Sequence, residues 1–126
     1  MKYDETDLIE FFGVLPSEQE PEEKEFFGTT IFDYYQSRYH LCVSFSIYNN
    51  DFYLDLKDVE VAEPMLEIQL ERVEEIRVRR DKPTSVPVLI VRTRCNAEEA
   101  EKEELMQTMQ LSLEPKLGIK INNQNE

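Results

Sequence analysis

Between His40 and Lys57 apolar and polar residues alternate with a period of two. Leu41, Val43, Phe45 and Ile47 are separated by Cys42, Ser44, Ser46 and Tyr48. After Asn49-Asn50-Asp51 the alternation resumes, with Phe52, Leu54 and Leu56 against Tyr53, Asp55 and Lys57. A strand points successive side chains to opposite faces, so each run predicts one apolar and one polar face. Asn and Asp tolerate tight turns, and the two runs together predict a β-hairpin.

The same logic carries along the chain. Asp4 to Phe12 predicts a short helix: Asp4 caps it, Glu5 and Asp7 suit the positive end of its dipole, and Gly13 suits the residue just beyond. Leu8, Phe11 and Phe12 form its apolar stripe. Residues 16–25, with Pro16, Pro21 and a run of acids, predict an acidic loop. A strand is expected over Thr29 to Tyr35, and a turn at Gln36-Ser37-Arg38. The connection from Asp58 to Pro64 has room for a short edge strand. From Pro64 to Arg79, Leu66, Ile68 and Leu70, then Ile76 and Val78, alternate with charged residues. That period favours strands, although Glu, Leu and Arg would also suit a helix.

Val88-Leu89-Ile90-Val91 is a continuous apolar run, as in a strand covered on both faces. Asn96, with Glu99 three residues on, resembles a capping box and opens a predicted surface helix over residues 96–107. Strands are expected at Met109 to Leu113 and Leu117 to Ile121, followed by a polar tail over residues 122–126. The expected class is mainly β (α+β), an antiparallel β-sandwich or partly open barrel of about seven strands with one short N-terminal helix and one surface helix. At 126 residues the chain fits one domain, its β core spanning residues 29–121.

Charge sharpens the picture. The net charge is −13, which argues against nucleic acid and anionic membrane as partners, because Lys and Arg supply the attraction to both. The charge is unevenly spread: residues 1–30 hold nine acids against Lys2 and Lys24, whereas residues 72–94 hold seven bases against Glu74, Glu75 and Asp81. No run reaches the roughly 18 apolar residues of a membrane helix. The opening Met1-Lys2-Tyr3-Asp4-Glu5 turns acidic at once, which predicts no cleaved export signal and a cytoplasmic address. In that compartment Cys42 and Cys95 are expected as free thiols.

Catalytic chemistry is thinly supplied. His40 is the single histidine, and a general base needs a partner and a pocket that no pattern here provides. One His and two distant Cys match no zinc spacing, and the acidic loop lacks the alternating ligands and central Gly of a calcium loop. The three glycines, at 13, 28 and 118, stand apart, so no phosphate loop exists. No cofactor is expected. Arg77, Arg79, Arg80, Arg92 and Arg94, with Tyr34, Tyr35, Tyr39, Tyr48 and Tyr53, could form a positive stripe with stacking rings. The competing expectation is cross-strand pairing of these arginines with Glu67, Glu71 and Glu75.

Acidic surface is the better lead. Glu98, Glu99, Glu101, Glu103 and Glu104 crowd one segment with only Lys102 to offset them. Such a run is either a solvated face or a docking surface for a basic protein, whose association complementary charge accelerates. Tyr48 and Tyr53, on the polar face of the hairpin, would anchor that interface.

Three stretches carry a resemblance: Asp7-Leu8-Ile9-Glu10-Phe11-Phe12-Gly13-Val14-Leu15-Pro16, Leu41-Cys42-Val43-Ser44-Phe45-Ser46-Ile47, and Leu111-Ser112-Leu113-Glu114-Pro115. Together they resemble small acidic bacterial proteins of the immunity-protein type, from toxin–immunity systems. The resemblance implies a non-enzymatic module that occludes a protein partner. It assigns no site residue. Two other classes stay open: a structural or homodimeric subunit, which would leave an apolar face after folding, and a small intracellular enzyme using His40 or a cysteine.

Overall fold

A computed structural model describes residues 1–17, 29–61, 63–80, 86–94, 105–114 and 116–125. Among these described residues are one helix, α1 (Glu5–Phe12), and eight strands: β1 (Thr29–Gln36), β2 (Tyr39–Ser46), β3 (Asp51–Asp58), β4 (Pro64–Leu70), β5 (Val73–Arg79), β6 (Val88–Arg94), β7 (Leu105–Ser112) and β8 (Gly118–Asn125). The strands form two four-stranded antiparallel sheets, ordered β1-β2-β3-β4 and β5-β6-β7-β8. The mainly β class and the short N-terminal helix agree with the sequence. Of the two architectures it allowed, division into two sheets is what the sandwich requires. The chain falls into two compact units, one of Met1–Phe11 with Arg72–Glu126 and one of Phe12–Glu71.

The Phe12–Glu71 unit is built on the predicted hairpin. Pairing sets Val43 beside Phe32 and Leu54, and Phe45 beside Phe52. All five side chains are at most 1 % exposed. Phe32 stacks with Phe12 at 5.0 Å between ring centres and with Phe45 at 6.5 Å. The turn is longer than expected. β2 stops at Ser46, Ser46 pairs with Asp51, and residues 47–50 make the loop, with Asn50 at φ 55°. Ile47, assigned by alternation to the apolar face, is therefore 42 % exposed. At the other end buried Asp58 accepts from the Glu60 amide at 3.0 Å and pairs with Arg38 at 2.9 Å, closing the turn after β3.

In the other unit Asp4 caps α1 as predicted, its carboxylate accepting from the Asp7 amide at 3.2 Å. Gly13 follows with φ 72°, a conformation that costs glycine nothing. Leu8 and Phe11 are buried. Leu89, Ile90 and Val91 are each at most 3 % exposed, so β6 is covered on both faces as its unbroken apolar run indicated. Gly118 lies opposite Ser112, where a side chain would meet the Ser112 Oγ at 2.8 Å.

Residues 64–79 hold two strands, β4 and β5, as the period of two favoured over a helix. The sequence is corrected in two places. Leu105, Met106 and Gln107, expected to end a surface helix, open β7 instead, because strand pairing with β6 and β8 takes in their backbone. The rest of that predicted helix lies outside the described residues, as does most of the acidic loop. β8 runs on to Asn125, through residues read as a polar tail, because pairing with β7 satisfies its backbone whatever the side chains. Among the described residues no helix is long and apolar enough to cross a membrane.

Burial decides where substitutions hurt. Leu54→Ala, at a wholly buried position, is expected to cost about 2–5 kcal/mol, whereas an exposed change such as Tyr48→Ala stays within about 0.5 kcal/mol. Urea unfolding midpoints check both.

Candidate functional site

The polar face of the β1–β4 sheet gathers the side chains that alternation sets away from the core. Register places Asp33, Cys42, Asp55 and Glu67 in one row across all four strands. Ile31, Ser44, Tyr53 and Gln69 make the adjacent row, and Tyr35, His40 and Lys57 the row on the other side. Three carboxylates in one row, against His40 and Lys57 in the next, give the face a negative bias. Aromatic rings interrupt it: Tyr53 is 40 % exposed, and Tyr35 and Tyr48 are well exposed. Gln69 donates to the Tyr53 hydroxyl at 3.3 Å, fixing that ring's outer end.

This row was missed in the sequence, where attention went to the contiguous acids Glu98, Glu99, Glu101, Glu103 and Glu104. Those five lie outside the described residues. Asp33, Asp55 and Glu67 are separated along the chain and meet only through register. The signal was present, since all three occupy polar-phase positions of strands already predicted. Tyr53 falls on the polar face of β3 as expected, whereas Tyr48, expected on the polar face of the hairpin, lies in the β2–β3 turn.

His40 behaves as a hydrogen-bonded rim histidine. Its Nε2 lies 2.8 Å from Asp33 Oδ1, and its ring stacks on Tyr35 with centres 4.3 Å apart. Cys42 sits beside the same carboxylate. Burial, then the charge of Asp33, a hydrogen bond to Asp33 and the charge of Asp55 push its thiol up from 9.0 to about 11, with Lys57 pulling the other way. A nucleophilic cysteine needs the opposite surroundings, because only the thiolate attacks. Among the described residues no cluster of three or more His, Cys, Asp or Glu is placed to hold a metal ion.

The arginines of the second sheet are engaged locally. Arg94 pairs with Glu74, and Arg77 and Arg92 approach Glu75 Oε1 at 3.5 and 3.8 Å. Glu75 is one of the partners expected; Glu67 is not, since β4 and β5 belong to different sheets. The nearby groove of about 240 Å³ is lined by Lys2, Asp4, Asp7, Glu75 and Arg77 among others, a mixed set with no nucleophile beside a base.

The thiol gives a direct test of this electrostatic account. In a Cys95→Ser chain, iodoacetamide at pH 8 should label Cys42 at least about tenfold more slowly than a thiol in an unstructured peptide, and Asp33→Asn should recover much of the rate. The folded state holds this proton more tightly than the unfolded chain, so the thiol's contribution to stability is lost as pH climbs from 9.0 towards about 11.

Comparison with known proteins adds a likeness of fold. No family model matches the chain, and no curated protein matches it in sequence. Among solved structures it is similar to a chain of the contact-dependent growth inhibition toxin–immunity protein complex from Klebsiella pneumoniae 342. The TM-score is 0.73 at 15 % identity, over 97 % of this chain and 95 % of that one. This agrees with the immunity-type resemblance drawn from the three stretches above.

Proposed function

We propose that this chain is a non-enzymatic, protein-binding inhibitor of the immunity type, a cytoplasmic bacterial protein that occludes a basic partner with an acidic surface. The observation that carries the reading is the end-to-end likeness of fold to a chain of a toxin–immunity protein complex. It spans both units, so the likeness concerns the whole architecture and not a common hairpin. The net charge of −13 supports a basic partner.

The docking surface we assign combines Tyr48 and Tyr53 with the carboxylate row of Asp33, Asp55 and Glu67. The acids Glu98, Glu99, Glu101, Glu103 and Glu104 are a second acidic segment that would attract the same basic partner. Exposed tyrosines provide rigid contact area at low entropic cost, and the carboxylates steer and orient a cationic partner. Inhibition by this route needs no chemistry from the inhibitor, only a covered active site on the partner. The suppressed reactivity of Cys42 is in keeping with that role.

Affinity capture of native partners at low and moderate salt, followed by mass spectrometry and assay of the captured protein's activity, tests the reading. A stoichiometric basic protein, silenced on binding, is expected. Tyr53→Ala should weaken capture by roughly tenfold or more, as should the double reversal Asp55→Lys with Glu99→Lys. An empty column at both salts would overturn the proposal.

A further inference from the structure

The four sheet edges are treated differently by the chain. The outer edge of β1 receives Ser17, whose amide donates to the Ile31 carbonyl at 2.7 Å. The outer edge of β5 receives Lys2, which donates to Glu74 and accepts from Ile76, both at 2.9 Å. β8 ends in Lys120-Ile121-Asn122-Asn123-Gln124-Asn125, a mostly polar composition that keeps an edge in water. β4 ends the first sheet, and among the described residues no backbone group bonds to its outer edge.

β4 is also open on both faces at that edge. Pro64, Met65, Leu66 and Glu67 are all exposed, Met65 by 53 % and Leu66 by 37 %. Val59 and Val61, in the connection leading into β4, are exposed by 59 % and 54 %. Leu66 belongs to the apolar phase, in register with Leu56, so the apolar face is left unfinished at its margin. An edge strand presents a row of N–H and C=O groups that an extended segment can join, with alternate side chains giving specificity.

Charge selects the occupant. Glu60, Glu63, Glu67 and Glu71 flank or lie within β4. A second copy of this chain would set this acidic margin against itself, and like charges directly opposite one another destabilise a strand pair. A strand with basic residues on the Glu67 face and apolar residues on the Leu66 face meets both demands. We infer that β4 is a docking edge for an extended segment of a protein partner in which Lys or Arg alternates with apolar residues. The segment extends the sheet to a fifth strand and covers Leu66. The inference rests on the protein-binding reading above and adds the mode of contact.

The test follows backbone amide exchange by NMR in the full chain, with a soluble peptide alternating Lys and Val as the probe. Slowing of exchange at β4 amides by about tenfold or more is expected, and absence of any slowing there overturns the inference. A peptide alternating Glu and Val, or the Lys peptide interrupted by Pro, should give no protection; equal protection by either overturns it. Protection of β4 that grows with protein concentration and needs no peptide would assign the edge to a second copy, which also overturns it. Met65→Glu and Glu67→Lys change exposed side chains, so both variants should keep the parent's thermal midpoint while losing peptide protection. If a captured partner binds and is silenced equally well by Met65→Glu, which lies outside the carboxylate row, the edge inference fails and the inhibitor reading stands. If β4 takes the peptide but no partner is captured, the inhibitor reading fails instead.

Discussion

Cross-strand register is the constraint on which everything else here depends. Val43 lies between Phe32 and Leu54, and this alignment sends Leu41 and Phe45 to the core and Cys42 and Ser44 to the other face. A slip of one residue would exchange the two faces along the whole strand. The stack of Phe12, Phe32 and Phe45 makes such a slip expensive, since it would carry two large rings into water. The same alignment brings Asp33, Cys42, Asp55 and Glu67 into line. Core and candidate site are two consequences of one register.

The fold was legible in the sequence wherever alternation was long and turn residues were distinct. The central hairpin, α1 with its Asp4 cap, and the doubly covered β6 all follow from local pattern. Ile47 was misplaced because alternation continues one residue past the point where the turn begins, and the backbone demands of a four-residue loop outweigh one side chain's preference. Leu105 to Gln107 were misassigned because Glu, Leu, Met and Gln suit a helix, whereas pairing with β6 and β8 decides the outcome. The candidate site was less legible. Tyr53 could be read from phase, Tyr48 lies in the same turn that takes Ile47 out of the strand, and Asp33, Asp55 and Glu67 become neighbours only once strand order is known.

Among the described residues, several arginines meet carboxylates. Arg38 serves Asp58, Arg94 serves Glu74, and Arg77 with Arg92 flanks Glu75. Each pair is modest by itself at a partly exposed site. Within residues 72–94, Glu74 and Glu75 offset part of the positive charge. The carboxylate row of the first sheet has less cationic company, and Asp33 and Asp55 add to the burial that raises the Cys42 thiol. Uneven internal compensation, more than net charge, is what distinguishes one surface of this molecule from another.

The bond between Lys2 and β5 has a consequence for how the chain assembles. β1 to β4 follow one another as successive antiparallel neighbours within one continuous stretch, so their pairings close short loops. Lys2 and Glu75 lie about seventy residues apart, and joining them closes a loop whose entropy cost exceeds that of any hairpin. Met1–Phe11 belongs to the unit that contains β5 to β8, so Lys2 finds its backbone partners on the far side of the whole Phe12–Glu71 unit in sequence. During synthesis the backbone bonds of Lys2 must wait until β5 has been made.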